Sequence, residues 1–253
     1  MSENIIMASR TYKNVAELIK KEMLADVYKI GERLPAEREF ADRLGVSRTV
    51  IREALIMLEL SNLVSVKKGS GVYVVNLPVE ESVEKDTTFS DVGPFELLQA
   101  RQLLESGIAE FAAIQANRND IVKLREILNR ERLLLEQGEE NYIADEDFHC
   151  TIAEITQNEV LIKMQKDLWT YRSDSRMWKG LHARISEQSY RYLWLSDHEN
   201  ILTAIQRKSP AMAKRAMWQH LENVKQKLFE LSDIEDPEFD GYLFNINPVM
   251  VGI

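Results

Sequence analysis

The first quarter of the chain carries helical patterns of apolar side chains. Apolar residues recur at helical spacing over residues 15–23, and a second, short helix is predicted over residues 36–44. Gly45 is a natural left-handed stop for that helix. Ser47 is a good N-cap for a third helix that runs to about Leu60. The close spacing of these elements predicts a compact N-terminal domain.

Two strand-like segments follow the third helix. Residues 64–66 and 72–75 alternate as strands do, and the tract KKGSG between them (residues 67–71) is typical of a hairpin turn. Two helices joined by a tight turn with a glycine, and followed by a β-hairpin, predict a winged helix-turn-helix. The second helix of such a unit can enter the major groove of DNA.

The outward residues predicted on the third helix are donors of the right size to reach phosphates and base edges. They are Ser47, Arg48, Thr49 and Arg52. Lys68 is predicted at the tip of the hairpin, where a backbone without bulky side chains can approach the duplex. Taken alone, the two arginines also fit a solvated helix face. The order of the elements around them favours contact with DNA.

The rest of the chain is helical in pattern. Residues 94–232 contain no credible strand, and six or seven helices are expected there, one of them beginning at Pro210. The predicted fold class is therefore mainly α: an N-terminal winged helix-turn-helix and a C-terminal all-α helical bundle. The predicted boundaries are residues 1–77 for the DNA-binding domain, 78–92 for a polar linker, 93–233 for the bundle and 234–253 for an irregular tail.

Composition and charge narrow the functional classes. The chain has 253 residues, of which 45% are apolar and 29% charged, as expected for a globular protein. A single cysteine excludes an intrachain disulfide and favours a reducing, cytoplasmic location. No apolar run reaches the roughly 18 residues of a membrane span. The net charge of −9 is uneven, because residues 1–76 carry a net +2. A mildly basic segment on an acidic body can still bind DNA at chosen sites.

Three of the four histidines lie on inward stripes of the helical half. Asp145 and His149 are spaced i, i+4 and share one helix face, while His198 and His220 lie among apolar residues. Imidazoles and a carboxylate that converge in an acidic bundle would suit Zn, Ni, Fe or Mn. The alternative is that these are hydrogen-bonded core histidines and that Asp145 belongs to a solvated acidic run. Spacing alone leaves both interpretations open.

The N-terminal segment closely resembles the winged-helix domain of the GntR superfamily of bacterial regulators. The matching stretches are GERLPAEREFADRLGVSRTVIREAL (residues 31–55) and LVSVKKGSGVYV (residues 63–74). This resemblance implies double-stranded DNA as a partner. It also implies DNA contacts at the positions aligned with that family's contacting residues: Arg38, Ser47, Arg48, Thr49, Arg52, Lys68 and Gly69.

The helical half resembles the FCD ligand-binding domain of the FadR subfamily. The matching stretches are ELLQARQLLE (residues 96–105), DEDFHCTIAEITQN (145–158), DHENIL (197–202) and AMWQHLENV (216–224). The resemblance implies a divalent transition metal on Asp145, His149, His198 and His220. It also places Arg101 at the family's pocket arginine, where a guanidinium can clamp a carboxylate. Without the resemblance, a surface ion pair of Arg101 with Glu105 would be an equal reading.

Four further residues are predicted as effector contacts: Asn158, Arg172, Arg176 and His182. Asn158 could bind a hydroxyl group or cap the C-terminus of its helix, and the other three lie in a segment rich in Arg and Trp. The four tryptophans are expected to be core residues rather than a platform for stacking sugars.

Stretches near both ends of the helical half, and the tail FDGYLFNINPV (residues 239–249), are similar to repressors of hexuronate operons. The resemblance implies a homodimeric repressor that reads a short palindrome and responds to a uronate or keto-uronate. A metal sensor without an organic ligand is an alternative. A metal-dependent enzyme is a further one, but the sequence shows neither a His-Glu-x-x-His helix nor a nucleophile–base pair.

Overall fold

A computed structural model describes most of the chain. The described residues are 11–67, 70–78, 92–139, 142–182 and 189–232. They separate into an N-terminal unit that ends at Phe95 and a helical unit that runs from Glu96 to Glu230. The predicted linker falls largely outside the described residues, and the predicted C-terminal tail falls wholly outside them.

The N-terminal unit is the predicted winged helix-turn-helix. Its elements are α1 (Tyr12–Leu24), α2 (Glu37–Leu44), α3 (Arg48–Leu60), β1 (Val64–Lys67) and β2 (Gly71–Val74). Gly45 ends α2 in the left-handed region with φ +62°, and the Ser47 hydroxyl accepts a hydrogen bond from Val50 N–H to begin α3. The two strands pair antiparallel, with Val64 opposite Val74.

Helix α3 is buried on nearly every face, which the sequence did not predict. Three residues expected to face outward are only 2–7% exposed, and these are Arg48, Thr49 and Arg52. Their predicted outward orientation is therefore wrong for this structure. On one flank Glu37 of α2 holds the Arg52 guanidinium with both carboxylate oxygens, at 2.8 and 2.7 Å. On the other, the buried Glu53 carboxylate accepts a hydrogen bond from the Phe95 backbone N–H at 2.9 Å.

The helical unit contains seven helices in its described part, so the prediction of six or seven is confirmed. They are α4 (Pro94–Gln115), α5 (Arg118–Glu136), α6 (Ile143–Ile155), α7 (Glu159–Asp174), α8 (Arg176–His182), α9 (Ser189–Gln206) and α10 (Pro210–Ser232). The last of them begins at Pro210 as predicted. None of the described helices is long and apolar enough to cross a membrane.

Helix α6 lies at the centre of the contacts in this unit. It packs against α5 on one side and α7 on the other, and α5 also packs against α9. Phe148, Ile152 and Ala153 of α6 are fully buried. Because His149 follows Phe148 on the same buried part of α6, its imidazole is placed inside the unit rather than at its surface.

Candidate metal and anion site

Four predicted metal ligands come together inside the helical unit. Helix α6 supplies Asp145 and His149 one turn apart, α9 supplies His198 and α10 supplies His220. One ligand atom from each residue lies within 4.8 Å of the other three. The three imidazoles are buried and Asp145 is partly buried. The convergence predicted from the sequence is therefore present in the fold.

The distances between these atoms suit a shared cation. Nε2 of His198 lies 3.2 Å from Nε2 of His220 and 3.6 Å from Oδ1 of Asp145, and Nε2 of His149 lies 3.4 Å from the same Oδ1. Two donors that each lie about 2.0–2.2 Å from one metal ion are separated by similar distances. Nε2 of His149 is buried and has no hydrogen-bond partner among the described residues, as expected for a metal-binding nitrogen.

Each of the three imidazoles also faces a second carboxylate with its other nitrogen. Nδ1 of His198 lies 3.0 Å from Glu131 Oε2, and Nδ1 of His220 lies 3.5 Å from Asp197 Oδ2. Nδ1 of His149 lies 2.5 Å from Glu105 Oε2, although the ring N–H is not aligned on that oxygen. Metal-binding histidines are held in this way in proteins, since the outer carboxylate fixes the tautomer and leaves Nε2 free for the ion.

The electrostatics of the cluster also favour a cation. Burial alone would raise the pKa of Glu105, but Arg101 and His149 hold it well below its usual range. Burial would likewise raise the pKa of Asp145, and the neighbouring imidazoles and Arg172 lower it. Both groups are therefore carboxylates at neutral pH.

The imidazoles are affected in opposite directions. Burial lowers the pKa of His220, together with the neighbouring His198, so this ring is neutral at pH 7. Burial would lower the pKa of His149 as well, but Glu105 and Asp145 raise it above its usual value. A cation that binds at His149 therefore competes with a proton, as is usual for metal sites.

Two arginines lie directly beside the cluster, and both contact one aromatic side chain. The guanidinium carbons of Arg101 and Arg172 lie 4.7 and 4.6 Å from the centre of the Trp169 ring. The same ring is 5.7 Å from that of His149. Arg101 donates from Nε to Glu105 at 2.6 Å, and Arg172 comes no closer than 3.9 Å to the Asp145 carboxylate.

Most of the N–H groups of these arginines remain available. Among the described residues, neither Nη atom of Arg101 nor any nitrogen of Arg172 makes a hydrogen bond. Both side chains are at most 9% exposed. Two buried guanidinium groups with unused donors, close to one another and to a cation site, form a place where a carboxylate would bind.

Sequence profiles match both units. The profile of the bacterial regulatory proteins of the gntR family matches residues 11–74, and that of the FCD domain matches residues 96–223. The chain belongs to the gntR family. Within it, the chain has an FCD domain after the DNA-binding unit, as the sequence resemblance implied, and its class is that of DNA-binding transcriptional regulators.

Curated relatives match over nearly their whole length. The "Uxu operon regulator" of Haemophilus influenzae is 59% identical over 252 residues, which cover 99% of this chain and 93% of the relative. The "Uxu operon transcriptional regulator" of Escherichia coli K12 is 47% identical over 246 residues, with 96% of each chain covered. The "Exu regulon transcriptional regulator" of the same strain is 47% identical over 247 residues, with 95% of this chain and 93% of the relative covered.

The predicted effector contacts divide into two groups. Arg101 and Arg172 lie at the site, and the Arg101–Glu105 ion pair is buried rather than on the surface. Asn158 is exposed, and its side-chain oxygen caps the N-terminus of α7 by accepting from two backbone N–H groups, so the predicted C-terminal cap is wrong and the effector contact stays a prediction. Arg176 is exposed and is not part of the buried cluster. The side chain of His182 lies outside the described residues.

The predicted DNA contacts stay predictions. Arg38 is exposed and Ser47 is partly buried as the N-cap of α3, while Lys68 and Gly69 lie outside the described residues. Arg52 has a role that the sequence did not show, because its guanidinium is fixed by Glu37 across the helix-turn-helix.

Sequence reasoning missed the outer carboxylates. Glu131 lies in a run that reads as charged helix surface, and nothing in the local pattern links it to His198 sixty-seven positions away. Asp197 is next to His198 in sequence, but its carboxylate lies beside Nδ1 of His220. The i, i+4 spacing predicted the ion pair of Glu105 with Arg101. The contact of Glu105 with His149 depends on the fold and could not be predicted from the spacing.

If Glu131 orients His198, the substitution Glu131→Gln should weaken the affinity for Zn²⁺ or Mn²⁺ by about 10- to 100-fold. The measurement is a titration against a chelating dye with the full-length protein. Glu136→Gln, an exposed change on the same helix, is the matched control and should leave the affinity unchanged. Equal affinities for the two variants would show that Glu131 does not support the metal site.

Proposed function

We propose that the protein is a homodimeric repressor of genes for hexuronate catabolism, and that a uronate or keto-uronate bound in the helical unit releases it from its operator. The observation that carries the effector part is the pair of buried guanidinium groups of Arg101 and Arg172, whose donors are largely unused among the described residues. The names of the relatives support the choice of hexuronate genes.

The guanidinium N–H groups of Arg101 and Arg172 favour a carboxylate as the bound anion. Among the described residues, Arg101 has two Nη groups and Arg172 its whole guanidinium without a hydrogen bond, and both pack on Trp169. Guanidinium groups bind carboxylates with parallel N–H···O hydrogen bonds, which are about twice as strong as neutral ones. Burial and the charge of Arg101 both lower the pKa of Arg172, so an organic carboxylate beside the two guanidinium groups would stabilise their charged forms.

The cluster of Asp145, His149, His198 and His220 would hold a divalent transition metal such as Zn, Ni, Fe or Mn. Around it, four carboxylates face two guanidinium groups, so two negative charges remain when the imidazoles are neutral. A divalent cation balances them, and when bound it supplies positive charge to the carboxylate or hydroxyl oxygens of the effector. Arg101 and Arg172 then fix where those oxygens lie.

DNA binding would follow the two-fold symmetry of a dimer. Each winged helix would read one half of a short palindrome with α3 and the wing. The effector shifts the balance between DNA-bound and free protein only by its differential affinity for the two conformations. A protein that senses metal alone is the second candidate. It is disfavoured because a metal on the histidines leaves the guanidinium donors of Arg172 unused.

The effector class is tested by thermal unfolding of the metal-loaded protein with glucuronate, galacturonate, fructuronate and tagaturonate. A ligand at 100 times its dissociation constant should stabilise the protein by about 2.7 kcal/mol. Arg172→Gln should weaken the affinity by about tenfold or more, since it removes charge-assisted hydrogen bonds. Arg207→Gln, an exposed change in the same unit, should change nothing. If none of the four acids raises the unfolding temperature, the proposed effector is wrong.

The role of α3 is tested by titrating an operator duplex, selected from a random library, with protein variants at fixed salt. Arg52→Ala should weaken specific binding by about tenfold or more, because Glu37 fixes this guanidinium across the helix-turn-helix and its loss would displace α3 from the position in which it reads DNA. Arg43→Ala removes an exposed arginine on α2 that pairs with Glu22 of α1, and it should have a much smaller effect. Similar losses for both variants would mean that only general electrostatics is involved.

A further inference from the structure

Buried polar atoms without partners are concentrated in one part of the helical unit. Within its described part, the residues that carry such side-chain atoms are Glu105, His149, Gln165, Trp169, Trp178 and His220. Native proteins contain few such groups, and each one calls for an explanation. A cation and its carboxylates account for the two histidines and Glu105. The remaining three residues each have a buried N–H group that a metal cannot explain, because an indole or amide N–H donates and does not bind cations.

Gln165 is the clearest of the three. Its side chain is 1% exposed, and neither Oε1 nor Nε2 has a hydrogen-bond partner in the described structure. It lies one turn before Trp169 on α7, so the two side chains share a helix face. That face also carries the ring that contacts both arginines and His149. The amide is therefore placed beside the proposed effector site and supplies both a donor and an acceptor.

Two indole N–H groups near Arg172 add to the unpaired polar atoms of Gln165. The guanidinium carbon of Arg172 lies 4.6 Å from the centre of the Trp169 ring and 5.1 Å from that of Trp178. Nε1 of each tryptophan is buried, and neither has a partner among the described residues. This part of the unit therefore contains two indole donors, from α7 and α8, and the amide of Gln165. All three lie near the guanidinium groups that would bind a carboxylate.

The chemistry of these groups selects hydroxyl groups as their partners. A hydroxyl oxygen accepts a hydrogen bond from an N–H group and donates one to an amide oxygen, so it matches both ends of Gln165. A carboxylate cannot donate to Gln165 Oε1, and the guanidinium groups beside it bind a carboxylate more strongly. An apolar chain would leave all of the polar atoms unpaired.

We propose that Gln165, with the indole N–H groups of Trp169 and Trp178, binds the hydroxyl groups of a polyhydroxylated acid whose carboxylate lies at Arg101 and Arg172. This inference rests on the proposed function, since it concerns the same effector site. It assigns to the three residues the selection of a sugar acid over a short hydroxy-acid, such as lactate, that lacks the further hydroxyls.

The test measures the binding of the four hexuronates and of lactate to the metal-loaded, full-length protein by calorimetry. Gln165→Leu removes the amide at nearly constant volume, and Trp178→Phe removes an indole N–H while it keeps an aromatic ring. Each should weaken the affinity for the preferred uronate by about tenfold or more, because a site built for hydroxyl groups discriminates strongly when those hydrogen bonds are lost. Neither should change the affinity for lactate or the metal content. Gln115→Leu, an exposed change at the end of α4, is the matched control and should bind as the wild type does.

A second readout separates a binding role from a structural one. Because the amide of Gln165 has no partner in the described structure, Gln165→Leu without ligand should unfold at the same temperature as the wild type or higher. A clear decrease in that temperature would overturn the inference, since it would show that the amide stabilises the fold. Unchanged uronate affinity in both variants, or equal affinity of the wild type for lactate and the uronates, would also overturn it.

These outcomes differ from a failure of the proposed function. If the wild type binds a uronate and Arg172→Gln loses it while Gln165→Leu and Trp178→Phe do not, only the hydroxyl-binding role is wrong. If the wild type binds none of the four uronates, the proposed effector and the hydroxyl-binding role are both wrong.

Discussion

The buried carboxylate of Glu105 is shared between the two halves of the candidate site. One oxygen accepts from Nε of Arg101 at 2.6 Å, and the other lies 2.5 Å from Nδ1 of His149. Both side chains of the ion pair are nearly inaccessible to water, at 4% and 2% exposed. Removing one partner of such a pair leaves an uncompensated charge and costs about 3–5 kcal/mol. The orientation of Arg101 and the state of His149 are therefore not independent, and this dependence connects the effector position to the metal position.

The candidate site is built from residues on helices, and each imidazole contacts a carboxylate on a different helix. Ligands and their outer carboxylates come from α4, α5, α6, α9 and α10, so each imidazole is held between two well-packed elements. The packed helices hold the four ligand atoms of the cluster within 4.8 Å of one another. Among the described residues, the guanidinium of Arg172 makes no hydrogen bond and the amide of Gln165 has no partner, and a bound ligand would satisfy both. We therefore expect the free energy of effector binding to come from the hydrogen bonds that Arg172 and Gln165 form with the effector.

The sequence predicted the elements well because their signals are local. The N-cap at Ser47, the left-handed Gly45 and the start of α10 at Pro210 each depend on neighbouring residues only. The convergence of Asp145, His149, His198 and His220 was also predicted, since helical spacing placed all three histidines on inward stripes and Asp145 one turn from His149. What could not be predicted depends on contacts between distant segments. Helical phase placed Arg48 and Arg52 outside, whereas Glu37 and the segment at Phe95 enclose α3 on both flanks.

The proposed effector site shows the same division between local and distant signals. Arg101 was identified by motif and Arg172 by its surroundings, but Asn158 and Arg176 carried the same kind of signal and lie exposed. Residue type alone does not distinguish an arginine whose helix turns it towards Trp169 from one that faces solvent. Gln165 had no signal at all, because a single glutamine in an amphipathic helix is usually at the surface.

The central claim is that one site, built from the histidine cluster and the two arginines, controls DNA binding. The most direct test measures fluorescence anisotropy of a labelled operator duplex with metal-loaded and with chelator-stripped protein, as a uronate is added. The account predicts that the uronate releases the operator from the metal-loaded protein and has little effect on the stripped protein at the same concentration. Equal release from both forms, or no release from either by any of the four hexuronates, would contradict it.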